Sequence, residues 1–101
     1  MPLICFDWDD TVSADVPTFR RVICHFINAG WQCVICTGRN DSPGNRADIE
    51  GGIRGIDIPI VFAGATPKRE AMRAAGYGGK LIAVDDCPEM WGSVPLLGGG
   101  K

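Results

Sequence analysis

The sequence predicts an open parallel α/β sheet of four to five strands with helices on both faces, a Rossmann-like three-layer sandwich. Three observations carry this. Four short runs, Leu3 to Phe6, Cys33 to Cys36, Ile58 to Phe62 and Leu81 to Val84, are nearly all apolar rather than alternating. That is the pattern of strands buried on both faces. Helical signals lie between the runs, so the order reads β-α-β-α-β-α-β with a last helical turn. Polar and charged residues follow each strand, at the edge where such sheets bind ligands.

The elements follow in order. After the first strand, Pro17 opens a helix in which Phe19, Val22, Ile23, Phe26 and Ile27 share one face, and Gly30 stops it. His25 falls on the opposite face and reads as solvated, as do Arg20 and Arg21; Trp31 reads as packing. Cys33 and Cys36 form a CxxC, but within a strand residues three apart point opposite ways, which argues against a redox or zinc role. Ser42-Pro43 has the form of an N-cap followed by proline at the first helical position. It opens a helix toward Ile53 that Gly44, Gly51 and Gly52 weaken. Thr66-Pro67 repeats the cap-plus-proline signal for a helix running through Met72 to Gly76, and Cys87 to Trp91 forms a final turn.

The 101 residues suit one domain, 1–97, with Gly98 to Lys101 as a flexible tail. A net charge of −2 gives no basic excess, so long nucleic acid is not an expected partner. The first residues do not have the pattern of a leader, so none is expected, and no apolar run reaches the roughly 18 residues of a membrane span. With an odd number of cysteines, five, the expectation is a cytoplasmic protein with reduced thiols and no membrane partner.

The chemistry sits past the strands. Asp7-Trp8-Asp9-Asp10-Thr11 follows the first, Thr37-Gly38-Arg39 the second, and Asp85-Asp86 the fourth; Lys68 stands at a helix start beyond the third. Five carboxylates converging on one edge are costly unless compensated, and a divalent cation with a preference for hard oxygen ligands compensates them. Each group also has a plainer reading: solvated loop acids, a strand-to-helix turn at Thr37, a surface lysine, or an N-cap pair at Asp85-Asp86.

Taken together, the groups resemble the four motifs of the haloacid dehalogenase (HAD) superfamily. Asp7-Trp8-Asp9-Asp10-Thr11-Val12 is similar to its DxDx[TV] motif, Thr37 to the second, Lys68 to the third, and Asp85-Asp86 to the Asp-Asp form of the fourth. The resemblance covers residues 3 to 91. The stretches from Ile58 to Lys68 and from Val84 to Glu89 also resemble small phage-encoded members.

The resemblance implies a magnesium-dependent phosphatase acting through an aspartyl phosphate. Asp7 is then the nucleophile and Asp9 the acid and base. Thr37 binds a phosphoryl oxygen, and Lys68 neutralises the nucleophile and the phosphoryl charge. Thr11, Gly38 and Arg39 contact substrate. Magnesium is held by the Asp7 carboxylate, the Asp9 main-chain carbonyl, and Asp85 or Asp86. Dehalogenases of the superfamily lack the second aspartate and the transport ATPases have threonine there, so Asp9 points to phosphatase chemistry. Asp10 departs from the usual glycine, and Trp8 is expected to line the pocket.

Neither the interval from Asp9 to the Pro17 helix nor that from Thr37 to Lys68 holds a cap domain. Capless members resemble two groups, acting either on macromolecular phosphates such as polynucleotide ends or, as oligomers, on small phosphates. The acidic charge favours a nucleotide or other small phosphoester. A homodimer is expected to cover apolar residues near the site, namely Trp8, Trp91, Val94, Leu96 and Leu97. The rival reading is a non-catalytic interaction module that keeps the fold and the metal site.

Overall fold

A computed structural model describes residues 2–87, Glu89, Trp91 and 96–97. The strands are β1 (Leu3–Phe6), β2 (Gln32–Thr37), β3 (Ile60–Phe62), β4 (Ile82–Val84) and β5 (Leu96–Leu97). The helices are α1 (Val16–Asn28), α2 (Pro43–Gly52) and α3 (Lys68–Ala74), with a 3-10 turn at Val12–Ala14. The strands pair in the order β3-β2-β1-β4-β5, every pair parallel. The parallel α/β sheet with helices on both faces stands as expected.

Strand alternation divides the core. Ile4, Phe6, Cys33 and Ile35 face Ile23 of α1 and Ile49 of α2. Leu3, Cys5, Val34, Cys36 and Ala83 face Met72 of α3 and Trp91. Cys33 and Cys36 therefore lie on opposite faces, and all five cysteines are free. The chain steps outward from β1 to β3, then returns past β1 to form β4. Crossovers between parallel strands are right-handed, so reversing the direction moves the next helix to the other face. That places α1 and α2 on one face and α3 on the other. It also opens a crevice between the carboxyl ends of β1 and β4, the switch point where open sheets bind ligands.

Local chemistry accounts for the helix starts. Asp15 caps α1, its side chain accepting from Thr18 N at 3.2 Å, so the helix begins at Val16, one residue ahead of the expected opening at Pro17. Ser42 caps α2 as expected, accepting from Asn45 N at 3.2 Å. The start of α3 differs from expectation. Pro67 itself occupies the cap position without a side-chain cap bond, and Thr66 N donates to Ala63 O at 3.0 Å in the preceding turn. The tight turn spends Thr66 on the approach and makes Lys68 the first helical residue.

Phe6 meets Phe19 and Phe26 edge-on, each at 6.3 Å, and Phe26 meets Trp31 at 5.0 Å. His25 is exposed, as its place on the helix implied. Two tryptophans turn inward. Trp8, expected to line the pocket, is buried in the core with Ile49 and Ile53. Trp91 is 1 % exposed, packed against β-strand residues of the other face. Neither needs a second copy to cover it, because the sheet's own faces do so. Val94, the tail 98–101 and parts of the expected turn from Cys87 to Trp91 lie outside the described residues.

Candidate active site

The switch point is where the carboxylates gather. Asp7 N donates to Val84 O at 2.9 Å, which extends the β1–β4 pairing by one residue and sets Asp7 beside the end of β4. The chain then folds back in a tight turn, with Ser13 N donating to Trp8 O at 2.9 Å and Val12 N to Asp7 O at 3.3 Å. Asp10 sits in this turn at φ 61° with its N–H on Ser13 Oγ at 3.0 Å. Left-handed backbone favours glycine, and aspartate is among the few other residues that tolerate it. Asp10 thus serves the turn where glycine is the commoner choice.

Lys68 arrives from the start of α3 and is 2 % exposed. Its Nζ donates to Asp7 Oδ1 and to Asp85 Oδ2, both at 2.6 Å. Burial works against its ammonium, but the two carboxylates outweigh burial and raise its pKa above the ordinary value. Burial pushes the Asp7 carboxyl up to about 6, although Lys68 and the Thr11 hydroxyl oppose the rise. The lysine leaves the cluster short of positive charge: Asp7, Asp85 and Asp86 supply three carboxylates against one ammonium.

A divalent cation fits that deficit. One oxygen from each of Asp7, Asp85 and Asp86 lies within 4.8 Å of the others. Oxygens opposite one another across a magnesium ion are about 4.2 Å apart, and across calcium about 5 Å, from their usual bond lengths. An all-carboxylate donor set of this span suits a hard cation. Within it the two neighbours differ. Asp85 is 1 % exposed and accepts from Lys68, from Cys87 N at 2.9 Å and from Trp91 Nε1 at 2.7 Å. Asp86 is exposed, its Oδ1 lying 3.5 Å from the Thr11 hydroxyl.

The remaining expected residues have the following surroundings. Thr11 is buried and donates to Asp7 Oδ2 at 3.1 Å, so its hydroxyl orients that carboxylate and does not lie open for substrate. Thr37 is 0 % exposed; its Oγ1 accepts from Arg39 N at 3.2 Å and shapes the loop from beneath. Gly38 is exposed in that loop. The Asp9 carboxylate stands outside the acidic triad. Arg39 binds it from two nitrogens, Nε at 3.0 Å to Oδ2 and Nη2 at 2.7 Å to Oδ1. Arg39 in turn reaches Asp48 Oδ2 at 2.6 Å through Nη1, which lies 3.5 Å from Asn45 Oδ1. The guanidinium expected on substrate is therefore engaged by protein acceptors.

Sequence reasoning missed Asp48, Asn45 and the tie between Trp91 and Asp85. The first two had a faint signal, being three apart and so on one face of α2. Trp91 carried none beyond its proximity to Asp85-Asp86. Two hollows, of about 440 Å³ beside β3 and about 510 Å³ near Tyr77, lie away from the carboxylates. They are lined by none of the triad. Compared with protein-family models, with curated proteins and with solved structures, the chain finds no match.

Proposed function

We propose that the protein is a magnesium-dependent phosphatase of the HAD type, hydrolysing a small phosphomonoester through Asp7. The observation that carries this reading is the buried Lys68 ammonium bridging Asp7 and Asp85 at the switch point, with Asp86 exposed beside them. A carboxylate held by Lys68 on one oxygen and by Thr11 on the other is aimed as a nucleophile is. Bound magnesium, held by Asp7, Asp86 and the Asp85 neighbourhood, would offset phosphoryl negative charge.

The chain's own residues then act in two halves. An Asp7 oxygen attacks phosphorus as the bond to the leaving oxygen breaks, and Asp9 gives that oxygen a proton. Asp9 next takes a proton from water, whose oxygen attacks the same phosphorus. The bond to Asp7 breaks, releasing phosphate and restoring the carboxylate. Lys68 stabilises the charge on Asp7 throughout. Asp9 leans toward the β2 side, where Arg39 lies, and the acidic triad toward β4. The leaving group therefore belongs over the β2 loop.

A second reading, a metal- and phosphate-binding module without turnover, draws on the engagement of Asp9 by Arg39. One assay separates the two: hydrolysis of an aryl phosphate and a panel of nucleoside monophosphates and 3′-phosphorylated oligonucleotides, with magnesium or with chelator. Magnesium-dependent turnover that falls at least roughly hundredfold, about 2.7 kcal/mol of barrier, in Asp7→Asn is expected. A loss below about tenfold removes the nucleophile assignment. A magnesium-induced thermal shift without turnover on any substrate favours the module.

A further inference from the structure

We infer that Asp48, on α2, is a positioning residue that fixes the Asp9 carboxylate by way of Arg39. This rests on the proposed proton-transfer role of Asp9. On its own Asp9 is poorly constrained. Its side chain is 51 % exposed, it sits in a turn beside left-handed Asp10, and its carboxylate lies outside the triad. Taking the proton of the attacking water needs the base within hydrogen-bond reach of that water, so a freely rotating carboxylate would serve badly.

Arg39 removes that freedom, because a planar guanidinium that meets both oxygens of a carboxylate sets its plane as well as its distance. The clamp works only if Arg39 is itself held, and it is held at both ends. Its backbone N–H is on Thr37 Oγ1 at 3.2 Å, and its carbonyl accepts from Gly64 N at 3.2 Å. Its far nitrogen is on Asp48 at 2.6 Å. The helix that carries Asp48 is anchored in the same place. Ser42 caps it, and Asn45 Nδ2 donates to Asn40 O at 3.0 Å. Ile49, the next residue, is fully buried in the core and fixes the rotation of α2. Asp48 thus links the core packing of α2 to the orientation of Asp9.

The test is a double-mutant cycle on the full chain, read by kcat and KM separately. Asp48→Ala removes an exposed side chain and puts a good helix former in α2, so the fold is retained. It is expected to lower kcat about tenfold with KM and the magnesium activation constant within about twofold. In an Asp9→Asn background the same substitution is expected to change kcat less than about twofold, since coupled residues are not additive. Arg39→Lys, which cannot form the two-point contact, should behave like Asp48→Ala.

A second readout does not depend on turnover. The Arg39 Nε–H resonance is expected to shift in Asp9→Asn and to broaden in Asp48→Ala. Equal kcat losses in both backgrounds, or an Nε–H resonance indifferent to Asp48→Ala, would overturn the inference. A wild type without turnover whose Arg39 resonance still answers to Asp48→Ala would remove the phosphatase reading and keep the clamp.

Discussion

Asp7 carries the sharpest single-residue consequence. Burial holds its carboxyl near 6 in the folded chain against 3.8 ordinarily. The sign follows from linkage: a raised folded pKa contributes stability that is full below about 3.8 and lost as pH rises through about 6. Asp7→Asn cannot titrate, so with chelator present it should gain on the wild type between those pH values. The gain is up to roughly 3 kcal/mol, the worth of about two pKa units. Denaturant melts of both proteins from pH 4 to 7 check this, and a constant difference would refute it. Asp86 has a different test. It is the exposed oxygen donor of the triad, and Asp86→Ala should abolish most of the thermal shift that millimolar magnesium produces, since a ligand stabilises only the state that binds it.

At the scale of elements, α2 is packed by its glycines as much as weakened by them. A Cβ added at Gly52 would meet Trp8 Cη2 at 2.4 Å. The indole is buried against Ile49 and Ile53 and has little room to retreat. Gly52→Ala should therefore cost about 1–3 kcal/mol, the usual range for overpacking, despite alanine's better helix propensity. Gly51→Ala, with nothing within 4 Å of its added Cβ, serves as the control and should be neutral or stabilising. Thermal melts of the pair decide it. The same helix bears Asn45 and Asp48 within one turn of Ile49 and Gly52, so one short element braces the core and the β2 loop at once.

For the molecule as a whole, the segment after β4 is tied into the site. Trp91 is buried with Met72 and Leu81 while its indole N–H reaches Asp85. Trp91→Phe preserves most of the packing and deletes that one donor. A hydrogen bond to a charged group is worth about 1.5–3 kcal/mol, so a loss of this order is expected in chelator. Trp91→Ala should cost more, about 3–5 kcal/mol, because it also opens a cavity. Equal losses in the two variants would show that the donor, and not the ring, carries the contribution. The burial of Trp8 and Trp91 also narrows the apolar surface on which the homodimer expectation rested.

The sequence alone determined the placement of the strands, the alternation of helices between them, and the Ser42 cap. It also determined which charged residues stand at the carboxyl edge. These are local properties: continuous apolar runs, helical spacing and the residue after a strand are encoded within a few positions of one another. That Asp7, Lys68 and Asp85 gather at one edge was legible for the same reason, since parallel strands bring all their ends there; that Lys68 bridges the two carboxylates was not.

Tertiary structure decided the rest. That Asp9 turns to Arg39, that Thr11 serves Asp7 and that Thr37 lies sealed beneath its loop depend on strand order and loop path. So do the inward turns of Trp8 and Trp91. Each is a contact between segments distant in the chain or a choice of direction in a turn. Hydrophobic periodicity sets which face of a strand or helix is covered, but in turns it does not say where a side chain will point or what it will meet.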